Sequence, residues 1–153
     1  MNNVNASIQC ECRRAQAYWL AWRQLPLEER RVLPRMWLHL QIASLGLRFL
    51  GWKRTLGLLS RCPVRLYRGI ATPTQLAELM LKSARYSPTR PTCLAQAMTL
   101  RCILHDFGFW PAKLVLGWKA HKQFSAHAWV DCQGQALLVS RNELSQYVRF
   151  FEQ

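Results

Sequence analysis

Residues 91–108 read PTCLAQAMTLRCILHDFG, and this stretch decides how the second half of the chain folds. Pro91 disfavours helical geometry in the residue before it, and the Thr92 side chain can accept a hydrogen bond from the first free amides of a helix. Apolar residues then recur near helical spacing until Gly108. The stretch therefore predicts a buried helix that begins at Cys93.

Cys93 is the candidate nucleophile of the chain. The partial positive charge at a helix N-terminus favours thiolate over thiol, and a neighbouring imidazole can hold the pair as an ion pair. The candidate base is His127, in the strand-like run FSAHAWV at residues 124–130. A lone cysteine in an apolar helix is more often inert core, and Cys102 in the same helix is predicted to be of that kind. Position alone separates the two thiols.

The residues after this helix predict a small sheet. Residues 112–119 and 125–132 have the alternation of strands, Gln133-Gly134 forms a two-residue turn, and residues 135–140 return antiparallel. The predicted fold class is α+β, with the cysteine-bearing helix packed on a small antiparallel sheet that bears the histidine. Residues 1–153 are expected to form a single domain, with a helical N-terminal part at 1–75 and a catalytic core at 76–153.

Two helices are predicted in the N-terminal part. Proline and acidic residues at 26–31 indicate one helix start, and a second helix is predicted from Pro34 to about Phe49. Apolar residues occupy much of the circumference of this second helix, but its length falls short of the roughly 20 residues needed to span a bilayer. Internal packing is favoured, and contact with a partner or with a membrane surface is the alternative.

The composition of the chain limits which binding partners, cofactors and cellular locations are expected. The chain carries 21 Lys and Arg against 8 Asp and Glu, a net charge of +13, but its basic residues are scattered and predict no specific nucleic-acid site. An acidic leader, an acidic partner or anionic lipid fits this charge as well. The six cysteines form no pair of metal-ligand pairs, so no metal or other cofactor is expected. Residues 1–6 lack the features of a secretory signal, which predicts a cytoplasmic protein with reduced thiols.

Three blocks of sequence carry a resemblance to a known family. They are TCLAQA at 92–97, AKLVLG at 112–117 and FSAHAWVD at 124–131. In order and spacing these blocks resemble the B2 leader peptidase of lasso-peptide biosynthesis, a branch of the transglutaminase-like superfamily. The resemblance extends from about residue 18 to residue 150. It implies a papain/transglutaminase-like cysteine protease core, with Cys93 as nucleophile and His127 as base.

The resemblance also implies a reaction and partners. Such an enzyme removes the leader peptide from a ribosomally made lasso-peptide precursor, a B1 protein recognises the leader, and an ATP-dependent macrolactam cyclase closes the freed core peptide. A catalytically weak or noncatalytic scaffold that presents precursor or cyclase is the alternative. A transacylating enzyme is a third option, since an amine can replace water in resolving an acyl-enzyme.

The third member of the triad is where this sequence departs from the family. The aspartate usually follows the histidine by about a dozen residues, but residues 138–140 read Leu-Val-Ser. Pairing across the Gln133-Gly134 turn sets His127 opposite Ser140. We therefore expect Ser140 or Asn142 to hold the imidazole, as a neutral amide does in papain-like enzymes.

Three further residues are assigned to the substrate cleft. Asp131 lies four residues from His127 along the same strand, about 13 Å away at roughly 3.3 Å per residue, too far for a hydrogen bond to the ring. Trp129 is expected to face the same way as His127, and Trp118 is a second candidate for lining the cleft. Core packing is the favoured alternative for both tryptophans.

Overall fold

In a computed structural model of the chain, the described residues are 23, 26–61, 72–121 and 123–153. The N-terminal residues used for the targeting prediction lie outside this set, as do Cys10, Cys12 and Cys62. Residues 33–153 form one compact unit. Its elements are, in chain order, α1 (Leu27–Phe49, which begins before this unit), α2 (Trp52–Arg61), α3 (Pro73–Arg85), α4 (Cys93–Asp106), β1 (Ala112–His121), β2 (Gln123–Cys132), β3 (Gln135–Leu137), α5 (Arg141–Leu144) and β4 (Val148–Glu152).

Helix α1 differs from the prediction of two N-terminal helices. It is one helix that contains Pro34 in its interior, although proline removes a backbone N–H donor. Met36, Leu40 and Ala43 on its inner face are fully buried. Burial of these side chains favours a continued helical path after the proline, so the proline does not end the helix.

Helices α3 and α4 begin at similar threonine caps. Thr72 accepts a hydrogen bond from the Gln75 amide, and the Gln75 side chain accepts one from the Thr72 amide, which completes a capping box. Thr92 accepts a hydrogen bond from the Ala95 amide at 3.2 Å. The predicted start of the helix at Cys93 agrees with the structure.

The four strands form one antiparallel sheet in the order β3-β2-β1-β4. The predicted turn lies between β2 and β3, where Gln133 and Gly134 both have positive φ angles, of 53° and 80°. This turn pairs Cys132 with Gln135, as predicted. Helix α4 packs against β1 and β2. The α+β fold class, with the cysteine helix on the histidine sheet, is confirmed.

Two features of the sheet differ from the prediction. Strand β3 ends at Leu137 instead of continuing to Ser140, because Leu138 adopts a left-handed conformation with φ 69° that a strand does not allow. Strand β4 was not predicted; it pairs with β1 through an irregularity between Leu116 and Gly117. The last strand predicted from the sequence was residues 135–140.

Candidate active site

The helix cap places Cys93 in the first turn of α4, half-buried. Thr92 accepts the Ala95 amide with its side chain and the Gln96 amide with its carbonyl. The amides of Cys93 and Leu94 precede the first intrahelical bonds and have no carbonyl of their own helix to bind. A thiol in this position lies at the positive end of the helix dipole, and the free Leu94 amide lowers its pKa by a hydrogen bond.

A hydrogen-bonded ring holds the segment that leads into Cys93. The Gln41 side chain on α1 donates to Ser87 Oγ at 2.8 Å and accepts from Thr89 Oγ1 at 2.9 Å, while the two hydroxyl oxygens lie 2.9 Å apart. Ser87 is buried and Gln41 is half-buried, so few water molecules compete for the bond between them, whereas Thr89 is exposed. The ring ties the chain just before the nucleophile to a core helix. Sequence reasoning missed it because its members are distant in the chain.

The side chains of Cys93 and His127, which come from α4 and β2, lie close enough for a thiol–imidazole hydrogen bond to shift the pKa of both groups. This bond is the largest cause of a lowered pKa at Cys93, with further lowering by amide hydrogen bonds from Ala128 and Leu94; burial opposes it. The same bond is the largest cause of a raised pKa at His127, and burial again opposes it. Both shifts favour a thiolate–imidazolium pair.

Cys102 supplies an internal comparison from the same helix. It is buried, and desolvation raises its pKa to about 11. The thiol is therefore protonated at neutral pH, whereas the Cys93 pKa moves in the opposite direction. The prediction that Cys93 is the reactive thiol and Cys102 an inert one, made from their positions in the helix, agrees with these environments.

The second nitrogen of His127 binds a backbone carbonyl. Its Nε2 lies 3.2 Å from the Leu138 oxygen, which accepts the ring N–H. This bond leaves Nδ1 as the nitrogen available to the sulfur of Cys93. Leu138 is also the residue whose left-handed φ ends β3. The partner of this nitrogen is therefore a main-chain oxygen, where the resemblance led us to expect a side chain.

The structure gives Ser140 and Asn142 other contacts. Ser140 caps the short helix α5: its hydroxyl donates to Glu143 Oε2 at 2.7 Å and accepts from the Glu143 amide at 3.3 Å. The Asn142 carbonyl accepts from Ser145 and Gln146. Neither side chain takes the expected place beside the imidazole, because β3 ends before its pairing reaches His127.

Glu143 is a carboxylate near His127 that the sequence reading did not name. Electrostatic attraction between them contributes to the raised pKa of His127 and, behind hydrogen bonds from Ser140, to the lowered pKa of Glu143. Glu143 is exposed, so this long-range attraction is screened by water. The motif Ser140-Arg-Asn-Glu143 is a capping-box signature and was a usable signal for a helix here.

Aromatic rings enclose the other side of His127. Trp129 is stacked beside it with ring centroids 6.4 Å apart, and the Tyr147 ring lies 5.7 Å from it. Trp129 is fully buried, so it supports the imidazole from within the core and offers no surface to a substrate. Tyr147 is half-buried, with Lys119 Nζ 5.1 Å from its ring centroid. The predicted orientation of Trp129 is correct, and its packing matches the core alternative.

The two other cleft candidates, Asp131 and Trp118, have contacts elsewhere on the sheet. Asp131 forms an ion pair with Arg149 at 3.4 Å. Trp118 is half-buried and pairs with Ala126 on β2 and with Val148 on β4. The assignment of Asp131 and Trp118 to a substrate cleft stays a prediction.

A family model described as the transglutaminase-like superfamily matches residues 37–152. The chain belongs to the transglutaminase-like superfamily. The match begins within α1 and runs through β4, so it includes the cysteine helix and the histidine strand. Searches of curated proteins and of solved structures gave no significant match. The transglutaminase-like superfamily includes cysteine proteases and transglutaminases, and the Cys93–His127 pair is the chemistry that both require.

Proposed function

We propose that this protein is a cysteine peptidase that removes the leader peptide from a ribosomally synthesised lasso-peptide precursor. The observation that carries the peptidase part is the pairing of Cys93, at the start of a buried helix, with His127, which lowers the pKa of the thiol and raises that of the imidazole. The motifs around both residues, which resemble those of the B2 leader peptidases, support the choice of substrate. A B1 protein that holds the leader and an ATP-dependent macrolactam cyclase are the proposed partners.

The residues can perform a two-step hydrolysis. The Cys93 thiolate attacks the scissile carbonyl, and the amides at the start of α4 are placed to stabilise the resulting oxyanion. The His127 imidazolium then gives its proton to the departing amine of the core peptide, which leaves the leader as a thioester on Cys93. The neutral imidazole next takes a proton from water, the hydroxide attacks the thioester, and the thiolate leaves with the leader carboxylate released.

The contact of His127 with Leu138 leads us to propose a peptidase of low activity. A carbonyl oxygen orients the ring but carries less negative charge than a carboxylate, so it stabilises imidazolium less. Activity is therefore expected to be lower than with a full Cys-His-Asp triad. The same observation favours the second candidate, a scaffold that binds precursor or cyclase without cleaving.

Mass spectrometry of the purified chain with synthetic precursor, with and without the B1 protein, tests both candidates. The peptidase proposal predicts release of intact leader and core, and loss of cleavage in Cys93→Ala and His127→Ala. Cys102→Ala is the matched control, because it removes a thiol from the same helix that has no place in the reaction. Precursor bound but never cut by the wild type, with unchanged binding in both variants, would instead establish the scaffold.

A further inference from the structure

The outer face of α1 exposes a row of large apolar side chains. Leu38, Leu45 and Phe49 are 52%, 49% and 75% exposed, and Leu50 directly after the helix is 46% exposed. At 3.6 residues per turn, the first three lie within about 40° of one another around the helix and extend over about 17 Å of its length. We call Leu38, Leu45, Phe49 and Leu50 the apolar stripe. It lies opposite the buried face of the same helix, which carries Met36, Leu40 and Ala43.

The side chains around the apolar stripe carry one sign of charge. Residues 33–61 contain five cations and no Asp or Glu. Arg35 and Arg48 are exposed on α1 beside the stripe, and Lys53, Arg54 and Arg61 are exposed on α2. The Arg48 guanidinium lies 6.0 Å from the centroid of the Phe49 ring, so cation and apolar group share one surface. An apolar row whose charged neighbours within residues 33–61 are all cations is complementary to a surface that is apolar inside and anionic at its edge.

The charge and the shape of this face indicate which kind of partner binds it. A second copy of the chain would bring its own cations against these, and the repulsion opposes such a dimer. The stripe is also the convex side of a helix with apolar tips pointing outward, whereas peptide docking needs a groove. Among the described residues, no helix is long and apolar enough to cross a membrane. A helix that lies in the plane of a membrane surface needs only one apolar face and flanking cations.

We propose that the apolar stripe and its flanking cations bind the surface of an anionic lipid bilayer, with the leucine and phenylalanine side chains inserted at the headgroup boundary. Arg35, Arg48, Lys53 and Arg54 then contact lipid headgroups. This places the enzyme at a membrane surface independently of what it cleaves. The inference does not rest on the proposed peptidase activity.

Co-sedimentation of the full-length protein with vesicles tests the proposal. The expected result is binding to phosphatidylcholine vesicles that contain phosphatidylglycerol, little binding to pure phosphatidylcholine, and weaker binding as salt rises. Leu38→Ser with Phe49→Ser should lower the partition coefficient at least tenfold. Arg35→Gln with Arg48→Gln should lower it about 25-fold, from about fivefold for each cation near an anionic surface.

Matched variants distinguish binding through the apolar stripe from nonspecific binding by other exposed apolar side chains. Leu81 on α3 is 51% exposed, nearly the same as Leu38, but lies outside the apolar stripe. Leu81→Ser should therefore keep wild-type binding, and Cys93→Ala should bind normally because the active site takes no part. Thermal melts of every variant show whether it is folded.

Three results would overturn the proposal. The first is no binding to anionic vesicles at low salt, and the second is equal binding to neutral and anionic vesicles. The third is a self-associating wild type that becomes monomeric in the Leu38→Ser, Phe49→Ser variant, measured by light scattering, which would assign the stripe to a dimer interface.

Discussion

Gly117 lies on β1 directly opposite His127 on β2, and adding one methyl group there tests the packing behind the active site. A Cβ on Gly117 would come within 2.6 and 2.7 Å of two ring carbons of Trp129 and 3.1 Å from the Tyr147 Cβ. Real Cβ atoms essentially never approach other atoms closer than 3.0 Å. Trp129 is fully buried, so its ring has no solvent space into which to move.

The expected effect of Gly117→Ala follows from this geometry. Inserting atoms into a well-packed core costs about 1–3 kcal/mol of unfolding free energy. For a chain of this length, each kcal/mol lowers the melting temperature by roughly 2–4 °C, so we expect a decrease of about 2–12 °C. Displacement of the Trp129 ring also moves its stacked neighbour His127, and Cys93 loses part of the hydrogen bond that lowers its pKa.

Calorimetry and the rate of Cys93 alkylation by iodoacetamide measure these two effects. Gly57→Ala is the matched control, since nothing lies within 4 Å of its added Cβ and alanine is the better helix former by about 1 kcal/mol. The control should melt at or above the wild-type temperature with unchanged alkylation. If Gly117→Ala melts like the wild type and its Cys93 reacts at the wild-type rate, the packing of Trp129 against His127 does not constrain the site.

Three further outcomes are expected. Iodoacetamide should label Cys93 at neutral pH and spare Cys102, whose thiol ionises only near its pKa of about 11; mass mapping that finds equal labelling contradicts the assigned environments. Ser140→Ala removes a helix cap worth about 1 kcal/mol but no partner of the imidazole, so cleavage should persist while the melting temperature falls by a few degrees. Glu143→Gln should shift the alkaline limit of cleavage to lower pH, because His127 loses an attraction that raises its pKa and gives up its catalytic proton earlier; a pH–rate profile identical to the wild type would remove Glu143 from the site.

The sequence was sufficient for the parts of the fold that short-range chemistry determines. Thr92 and Gly108 delimited the cysteine helix, and the Gln133-Gly134 turn set the register of β2 and β3. A transglutaminase-like core was implied by the resemblance of three sequence blocks to that superfamily. The pairing of Cys93 with His127 was inferred from the order of the helix and the strands.

Long-range packing supplied what the sequence could not. Buried contacts keep α1 helical through Pro34, although local rules end a helix there. The return of β4 to β1 depends on pairing between distant segments that leaves little local signal. Substrate, partners and the two-part division at residue 75 stay predictions. The partner of His127 could not be predicted from residue types, because the atom that binds the ring belongs to the backbone of Leu138.

The atom that binds His127 belongs to the main chain, and this limits what mutagenesis can detect. Every amino acid carries a main-chain oxygen, so an alanine scan of residues 138–142 cannot delete the one that binds His127. An alanine scan of the whole chain would report Cys93 and His127 as indispensable and no third side chain. Replacing the amide between residues 138 and 139 by an ester, which weakens that oxygen as an acceptor, would reveal the missing member.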